Sequence, residues 1–183
     1  MGLLNRLFGV KIIHSPRLGI LNFMRTEADS LIEEDRAALE GYFSSVELSE
    51  NSIPVCDTLI IYAQIEPDGK IKGSKDGFRE IIMHSMASIV IVATENESKN
   101  YLEAAKKTSY GQANFVLTLK RNGKAFAKFF SAIFEQMHDD IPMPKAWINL
   151  APQGGKATYE NCPDAMLTLR RNVMTPLVKG FLS

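Results

Sequence analysis

The sequence predicts an α/β protein, a three-layer sandwich in which helices cover both faces of a mostly parallel sheet of about five strands. Short apolar runs alternate along the chain with segments whose apolar residues recur at helical spacing. The apolar runs are continuous, which is typical of strands buried on both sides of a parallel sheet. With 183 residues and 45% apolar composition, the chain can bury a core as one domain.

The first half of the chain is predicted to hold two strands, a helix between them and a loop. Val10 to His14 has the pattern of a short strand. A helix is predicted next, because Thr26 with Asp29 approximates a capping box and apolar residues then recur at helical spacing. Thr58 to Gln64, "TLIIYAQ", is the second strand, and the glycine-rich "EPDGKIKGSKDG" after it predicts a solvated hairpin-like loop.

The middle of the chain continues the alternation of helices and strands. Phe78 to Met86 is predicted to be a helix, Ser88 to Ala93 the third strand, and Ala113 to Leu119 the fourth. Between these two strands, a helix is predicted from Glu97 to Thr108, and Asn96 fits its N-cap position. The order of these elements indicates βαβ units with right-handed crossovers.

The last third of the chain contains the strongest helix pattern and one segment that allows two interpretations. Lys124 to His138 carries a stripe of phenylalanines, which indicates core packing. Trp147 to Leu150 fits either a fifth strand or a short helix started by Pro144. Asp164 to Lys179 is predicted to be a helix within a C-terminal extension that spans 152–183.

Composition bounds the expected partners and compartment. Lys plus Arg equals Asp plus Glu at 21 each, so net charge predicts no nucleic-acid partner. Cys56 and Cys162 are predicted to be buried hydrophobes in a reducing, cytoplasmic setting. No apolar run approaches the roughly 20 residues that cross a bilayer, so integral membrane association is not expected. Residues 1–9 are predicted to be an amphipathic arm on a single domain that spans 1–183, packing on that domain or on a second subunit.

Motifs for cofactors, metals and phosphates are not met. The glycine-rich loop lacks the spacing of a Walker motif, and no G-x-G-x-x-G occurs. The three histidines are His14, His84 and His138. None of them shares a metal-binding motif with another histidine or with a cysteine. We therefore expect no cofactor, no metal site and no recognisable catalytic residue.

Polar residues are predicted to meet where the strands end. The carboxyl ends of parallel strands form the ligand-facing edge of an open α/β sheet. If the strands run as predicted, this edge carries a candidate ligand-binding set: His14, Gln64, Thr94, Glu95 and Lys120. Loop packing or helix capping is the competing explanation for each of these residues.

Three segments, taken in order, resemble the caspase-like CHAT peptidase family. "DTLIIYAQIEPDGKIKGS" is similar to that family's strand ending in the catalytic histidine, and "ASIVIVATENE" to the strand ending in the nucleophilic cysteine. "ANFVLTL" through "MPKAWINLAPQ" resembles the closing strand, the long helix and the segment after it. This chain has Gln64 or Ile65 where the histidine is expected and Thr94 where the cysteine is expected. Because a cysteine peptidase needs a thiolate and a base, the resemblance implies a catalytically inactive relative.

Three functional hypotheses follow. The first is a non-catalytic, cytoplasmic domain that acts by binding a protein partner or a second copy of itself. The second is a small-ligand or regulatory domain that uses the carboxyl edge of the sheet. The third is a hydrolase with His14 or His84 as its base. A helix at residues 144–151 favours the caspase-like ordering, and a strand there favours a flavodoxin-like sheet.

Overall fold

The computed structural model describes residues 11–108, 113–151, 162–168 and 177–178. These residues form eight strands: β1 (Ile13–His14), β2 (Arg17–Asn22), β3 (Ser45–Ser49), β4 (Thr58–Tyr62), β5 (Ile89–Val92), β6 (Asn114–Lys120), β7 (Asp164–Thr168) and β8 (Leu177–Val178). They also form five α-helices: α1 (Asp29–Leu39), α2 (Phe78–Ser85), α3 (Tyr101–Thr108), α4 (Ala125–His138) and α5 (Met143–Leu150). Short 3₁₀ turns precede α1 and α3.

Six of the strands form one central sheet in the order β3-β2-β4-β5-β6-β7. All neighbouring pairs are parallel except β6 and β7, which are antiparallel. The predicted α/β class with a mostly parallel sheet is confirmed, with six strands in place of about five. Strands β1 and β8 pair with each other in a separate two-stranded sheet.

The core is divided between the two faces of the sheet. On one face, alternate strand residues such as Ile60 and Tyr62 pack against α1, α4 and α5. On the other face, residues such as Leu59 and Ile61 pack against α2 and α3. This alternation follows from the two-residue period of a strand, and it produces the predicted three layers.

The phenylalanine stripe of α4 is core packing, as predicted. Phe126 and Phe130 are fully buried, with their ring centroids 4.7 Å apart. Trp147 of α5 meets the edge of the Phe129 ring at 5.1 Å, so α5 joins the same cluster. Of the two interpretations of the Trp147 region, the helix is therefore the correct one, and Pro144 lies in its first turn.

Three strands of the central sheet, β2, β3 and β7, were not predicted as strands, and one predicted strand lies outside that sheet. The first strand of the central sheet is β2, whereas the predicted Val10 to His14 contributes only β1, outside that sheet. Gly19 interrupts the apolar run of β2, and it is needed because a Cβ atom there would lie 2.7 Å from Cys56 Sγ. The second unpredicted strand, β3, is an edge strand whose mostly exposed residues give no apolar pattern in the sequence.

The C-terminal segment also differs from its prediction. Asp164–Thr168 is a strand paired antiparallel with β6, where a helix was predicted. Its half-buried pattern reflects an edge position, and pairing with β6 overrides the weak helical spacing of the sequence. Residues 169–176 and the predicted arm at 1–9 lie outside the described residues.

The glycine-rich loop after β4 forms a hairpin, as predicted. Ile65 and Ile71 form an antiparallel bridge, and Gly69 turns the chain with φ of 78°. A Cβ atom on Gly69 would lie 2.5 Å from the backbone of Glu103, so the tip of the hairpin packs closely on α3. Within the described ranges, no helix is long and apolar enough to cross a membrane.

Both cysteines are buried, as predicted, and Cys56 is only 1% exposed. Burial raises the pKa of the Cys56 thiol to about 12, so the reactive thiolate is suppressed near neutral pH. In a Cys162→Ser background we expect native Cys56 to resist a thiol-specific reagent at pH 8 and to react fully once the protein is unfolded. Complete labelling of the native protein within minutes would contradict this expectation.

Candidate functional site

A pocket of about 380 Å³ lies at the edge formed by the carboxyl ends of the strands. It is lined from several elements that meet at this edge: Met24, Leu31, Glu34, Gln64, Thr94, Glu95, Arg121 and Gly123. Three of the predicted site residues, Gln64, Thr94 and Glu95, are therefore brought together.

Thr94 follows β5 and is 3% exposed. Its hydroxyl donates a hydrogen bond to the carbonyl oxygen of Ala63 and accepts one from the Ala63 N–H at 3.1 Å. The side chain therefore extends the pairing of β4 with β5 by one residue. A hydroxyl whose donor and acceptor capacity is used in this way is poorly placed to act as a nucleophile.

Gln64 follows β4 and lies on the exposed side of the same edge. Its side-chain amide donates to the backbone carbonyl of Glu95 at 3.2 Å. Gln64 and Thr94 thus both use their side chains to hold the neighbouring chain segment.

Asn96 does not cap a helix, contrary to the sequence-based prediction. Its Oδ1 accepts a hydrogen bond from the Ile65 N–H at 2.7 Å, and its Nδ2 donates to the carbonyls of Ala63 and Thr94. Glu97 occupies the cap position of the following 3₁₀ turn, without a side-chain cap. Asn96 is used instead to hold the loop after β4, whose backbone groups would otherwise be buried without partners.

Arg121, one of the lining residues of the pocket, belongs to a buried ion pair that sequence reasoning did not identify. Arg121, directly after β6, makes a bidentate contact with Asp35 of α1, with distances of 2.7 and 3.0 Å. The two side chains are 6% and 1% exposed. Tyr62 of β4 donates its hydroxyl proton to the same carboxylate at 2.6 Å.

The Arg121 guanidinium has partners besides Asp35. It also donates to the Ala93 carbonyl at 2.8 Å and lies 4.0 Å from the centre of the Phe126 ring. Burial raises the pKa of Asp35, and the hydrogen bonds from Arg121 and Tyr62 oppose that rise. Because Asp35 neutralises it, Arg121 adds no net positive charge to the pocket.

The remaining charges that line the pocket are acidic. The carboxylate of Glu95 accepts the backbone N–H of Arg121 at 2.8 Å, which fixes the turn after β6. Glu34 of α1 is half-buried, and its Oε1 atom is buried without a hydrogen-bond partner. The charged side chains that line the pocket are therefore two carboxylates and Arg121, whose charge Asp35 balances.

The other two predicted residues, His14 and Lys120, do not join the pocket. His14 is exposed and precedes the amino end of β2, so it lies at the edge opposite to the one predicted. The prediction was wrong because it took Val10 to His14 as the first strand of the central sheet. Lys120 is exposed at the end of β6 and does not line the pocket, although Arg121 beside it does.

The histidines give no geometric support to a hydrolase. His84 is exposed on α2, and neither His14 nor His84 lines the pocket. His138 ends α4, as predicted, and its Nε2 lies 3.0 Å from the carbonyl oxygen of Tyr42. A histidine base needs a carboxylate partner and access to substrate, and none of the three has this arrangement among the described residues.

The arrangement can bind a ligand non-covalently, but it offers no activated nucleophile. In the part of the chain that the structure describes, no group of three or more acidic, histidine or cysteine side chains is placed to hold a metal ion. No protein-family model, curated protein or solved structure matches the chain significantly.

Proposed function

We propose that this chain is a non-catalytic α/β domain that binds an extended segment of a partner protein in the pocket at the carboxyl edge of its sheet. The observation that carries the proposal is the Thr94 hydroxyl, which is bonded to both backbone groups of Ala63. Thr94 occupies the position where a nucleophile would be expected, but its hydroxyl holds the ends of β4 and β5 together. An open pocket lies beside it.

We also propose that the chain is an inactive relative of the caspase-like CHAT peptidases. Two features support this kinship. Residues Met143–Leu150 are helical, which favours the caspase-like ordering over the flavodoxin-like one. Gln64 or Ile65, which the resemblance aligns with the family's histidine, and Thr94, which it aligns with the cysteine, follow two neighbouring strands.

The shape of the pocket favours a chain segment as its ligand. The pocket lies near the lower end of the volumes that hold drug-sized molecules, and it is open to solvent. A volume of this size accommodates one or two side chains, and the rest of a bound segment would cross the exposed edge residues Gln64 and Glu95. A small molecule that fills the pocket alone is the second candidate, and it uses the same residues.

Selection of a random peptide library on the purified protein tests the proposal. We expect the selected peptides to bind Gln64→Trp at least about tenfold more weakly, because the indole would fill the mouth of the pocket. His14→Trp is the matched control, since His14 is equally exposed but lies at the opposite edge. We also expect mass spectrometry to find the peptides intact after prolonged incubation.

Two results would overturn this proposal. Specific cleavage of one peptide bond would show that the domain is an enzyme. Unchanged peptide affinity in Gln64→Trp would show that the pocket is not the binding site.

A further inference from the structure

We infer that the pocket recognises the cationic side chain of a lysine or arginine, and that Glu34 is the group that meets its positive charge. This inference rests on the proposed function, because it specifies which side chain of the bound segment enters the pocket.

The charges of the pocket determine the sign of the ligand. Arg121 is neutralised by the bidentate contact with Asp35, so the uncompensated charges belong to Glu34 and Glu95. One oxygen of Glu95 already accepts the Arg121 N–H. An anionic ligand would meet two carboxylates at short range, whereas a cationic ligand would relieve their repulsion.

The Oε1 atom of Glu34 lacks a hydrogen-bond donor. It is buried, and no described residue donates to it. Buried carboxylate oxygens are nearly always hydrogen-bonded, so an unpaired one on a residue that lines the pocket requires an explanation. A charged N–H donor from a ligand would satisfy it with a charge-assisted hydrogen bond.

The apolar wall of the pocket suits the aliphatic part of such a side chain. Met24 and Leu31 are half-buried and line the same pocket as Glu34. Lysine and arginine bury their methylene groups along apolar surface while the charged end reaches a polar partner. The combination of thioether, isobutyl group and carboxylate therefore matches one cationic side chain.

The test compares amino-acid amides that differ in charge. N-acetyl-lysine amide and N-acetyl-arginine amide are titrated into the protein beside their neutral counterparts, the norleucine and citrulline amides, and binding is followed by the NMR shifts of the Gly123 and Gln64 backbone amides. We expect the cationic member of each pair to bind at least about tenfold more tightly. Raising the salt concentration should weaken its binding, because the attraction is electrostatic.

Glu34→Gln should abolish this preference, so that the cationic and neutral members of each pair bind equally. Glu33→Gln is the matched control, because Glu33 is the neighbouring residue on α1, is exposed and does not line the pocket. Equal affinity for lysine and norleucine amides would overturn the inference. Equal losses in Glu34→Gln and Glu33→Gln would also overturn it.

The failure of this inference can be distinguished from failure of the proposed function. If selected peptides lose affinity in Gln64→Trp but show no enrichment in lysine or arginine, the binding function stands and the cation preference is wrong. If peptide affinity is the same in Gln64→Trp, the proposed function fails whatever the amides show.

Discussion

Replacing Arg121 with methionine should lower the free energy of unfolding by roughly 3–5 kcal/mol. The substitution leaves the Asp35 carboxylate, which is 1% exposed, without its charged partner. It also removes the donor to the Ala93 carbonyl and the contact with the Phe126 ring. Urea unfolding monitored by far-ultraviolet circular dichroism would measure the change.

The matched control for this substitution is Arg36→Met. Arg36 also forms a contact with a carboxylate, that of Glu40 one helical turn away, but both side chains are half exposed. We expect its loss to change stability by less than about 1 kcal/mol, because exposed ion pairs contribute little. Equal effects at Arg121 and Arg36 would contradict the structural role assigned to the buried pair.

A second comparison separates the net contribution of the Asp35–Arg121 ion pair to stability from the cost of leaving one buried charge unpaired. The double variant Asp35→Leu with Arg121→Met should be more stable than Arg121→Met alone, because no buried charge is left unpaired. Full recovery is not expected, since the Tyr62 hydroxyl also loses the carboxylate to which it donates.

The effect of pH has a defined sign in the Arg121→Met protein. Burial already raises the pKa of Asp35, and the variant removes the main group that opposes this rise. The folded variant therefore binds a proton more tightly than the unfolded chain does, so its stability falls as pH rises through the acidic range. The deficit relative to wild type should be smaller at pH 4 than at pH 7.

The central part of the fold was predictable from local pattern alone. The strands β4, β5 and β6 are continuous apolar runs, and α4 has a full apolar stripe, so period and length were enough to assign them. The strand β2 was not predicted, because Gly19 interrupts its apolar run. Glycine is required there by a close tertiary contact with Cys56, which no local pattern contains. The edge strands β3 and β7 were not predicted, because the sequence of a half-exposed strand has only a weak hydrophobic pattern.

Only the site residues that directly follow buried parallel strands could be predicted from the sequence. Gln64, Thr94 and Glu95 follow the ends of such strands, which meet at one edge of the sheet. The contact between Asp35 and Arg121 joins residues 86 positions apart, so spacing could not reveal it. One signal was present: Asp35 lies on the apolar stripe of α1, between the buried Ile32 and Leu39. A carboxylate in that position requires a buried partner.

Replacing Thr94 with valine should destabilise the protein by about 2 kcal/mol. Valine keeps the shape of threonine but removes the hydroxyl, which leaves the buried Ala63 N–H without its acceptor and weakens the bonding of the Ala63 carbonyl. Thr94→Ser keeps the hydroxyl and should cost only about 1 kcal/mol or less, from the lost methyl group. Thermal and urea unfolding of the two variants would measure the difference.

Thr26→Val is the control, because Thr26 is exposed and precedes α1, so its hydroxyl has water as an alternative partner. If the bonds between the Thr94 hydroxyl and Ala63 contributed little, its removal would leave stability nearly unchanged. A loss of stability in Thr94→Val that Thr94→Ser recovers would instead identify this hydroxyl as the joint between β4 and β5. Equal stability of the valine and serine variants would remove the main support for a non-catalytic role.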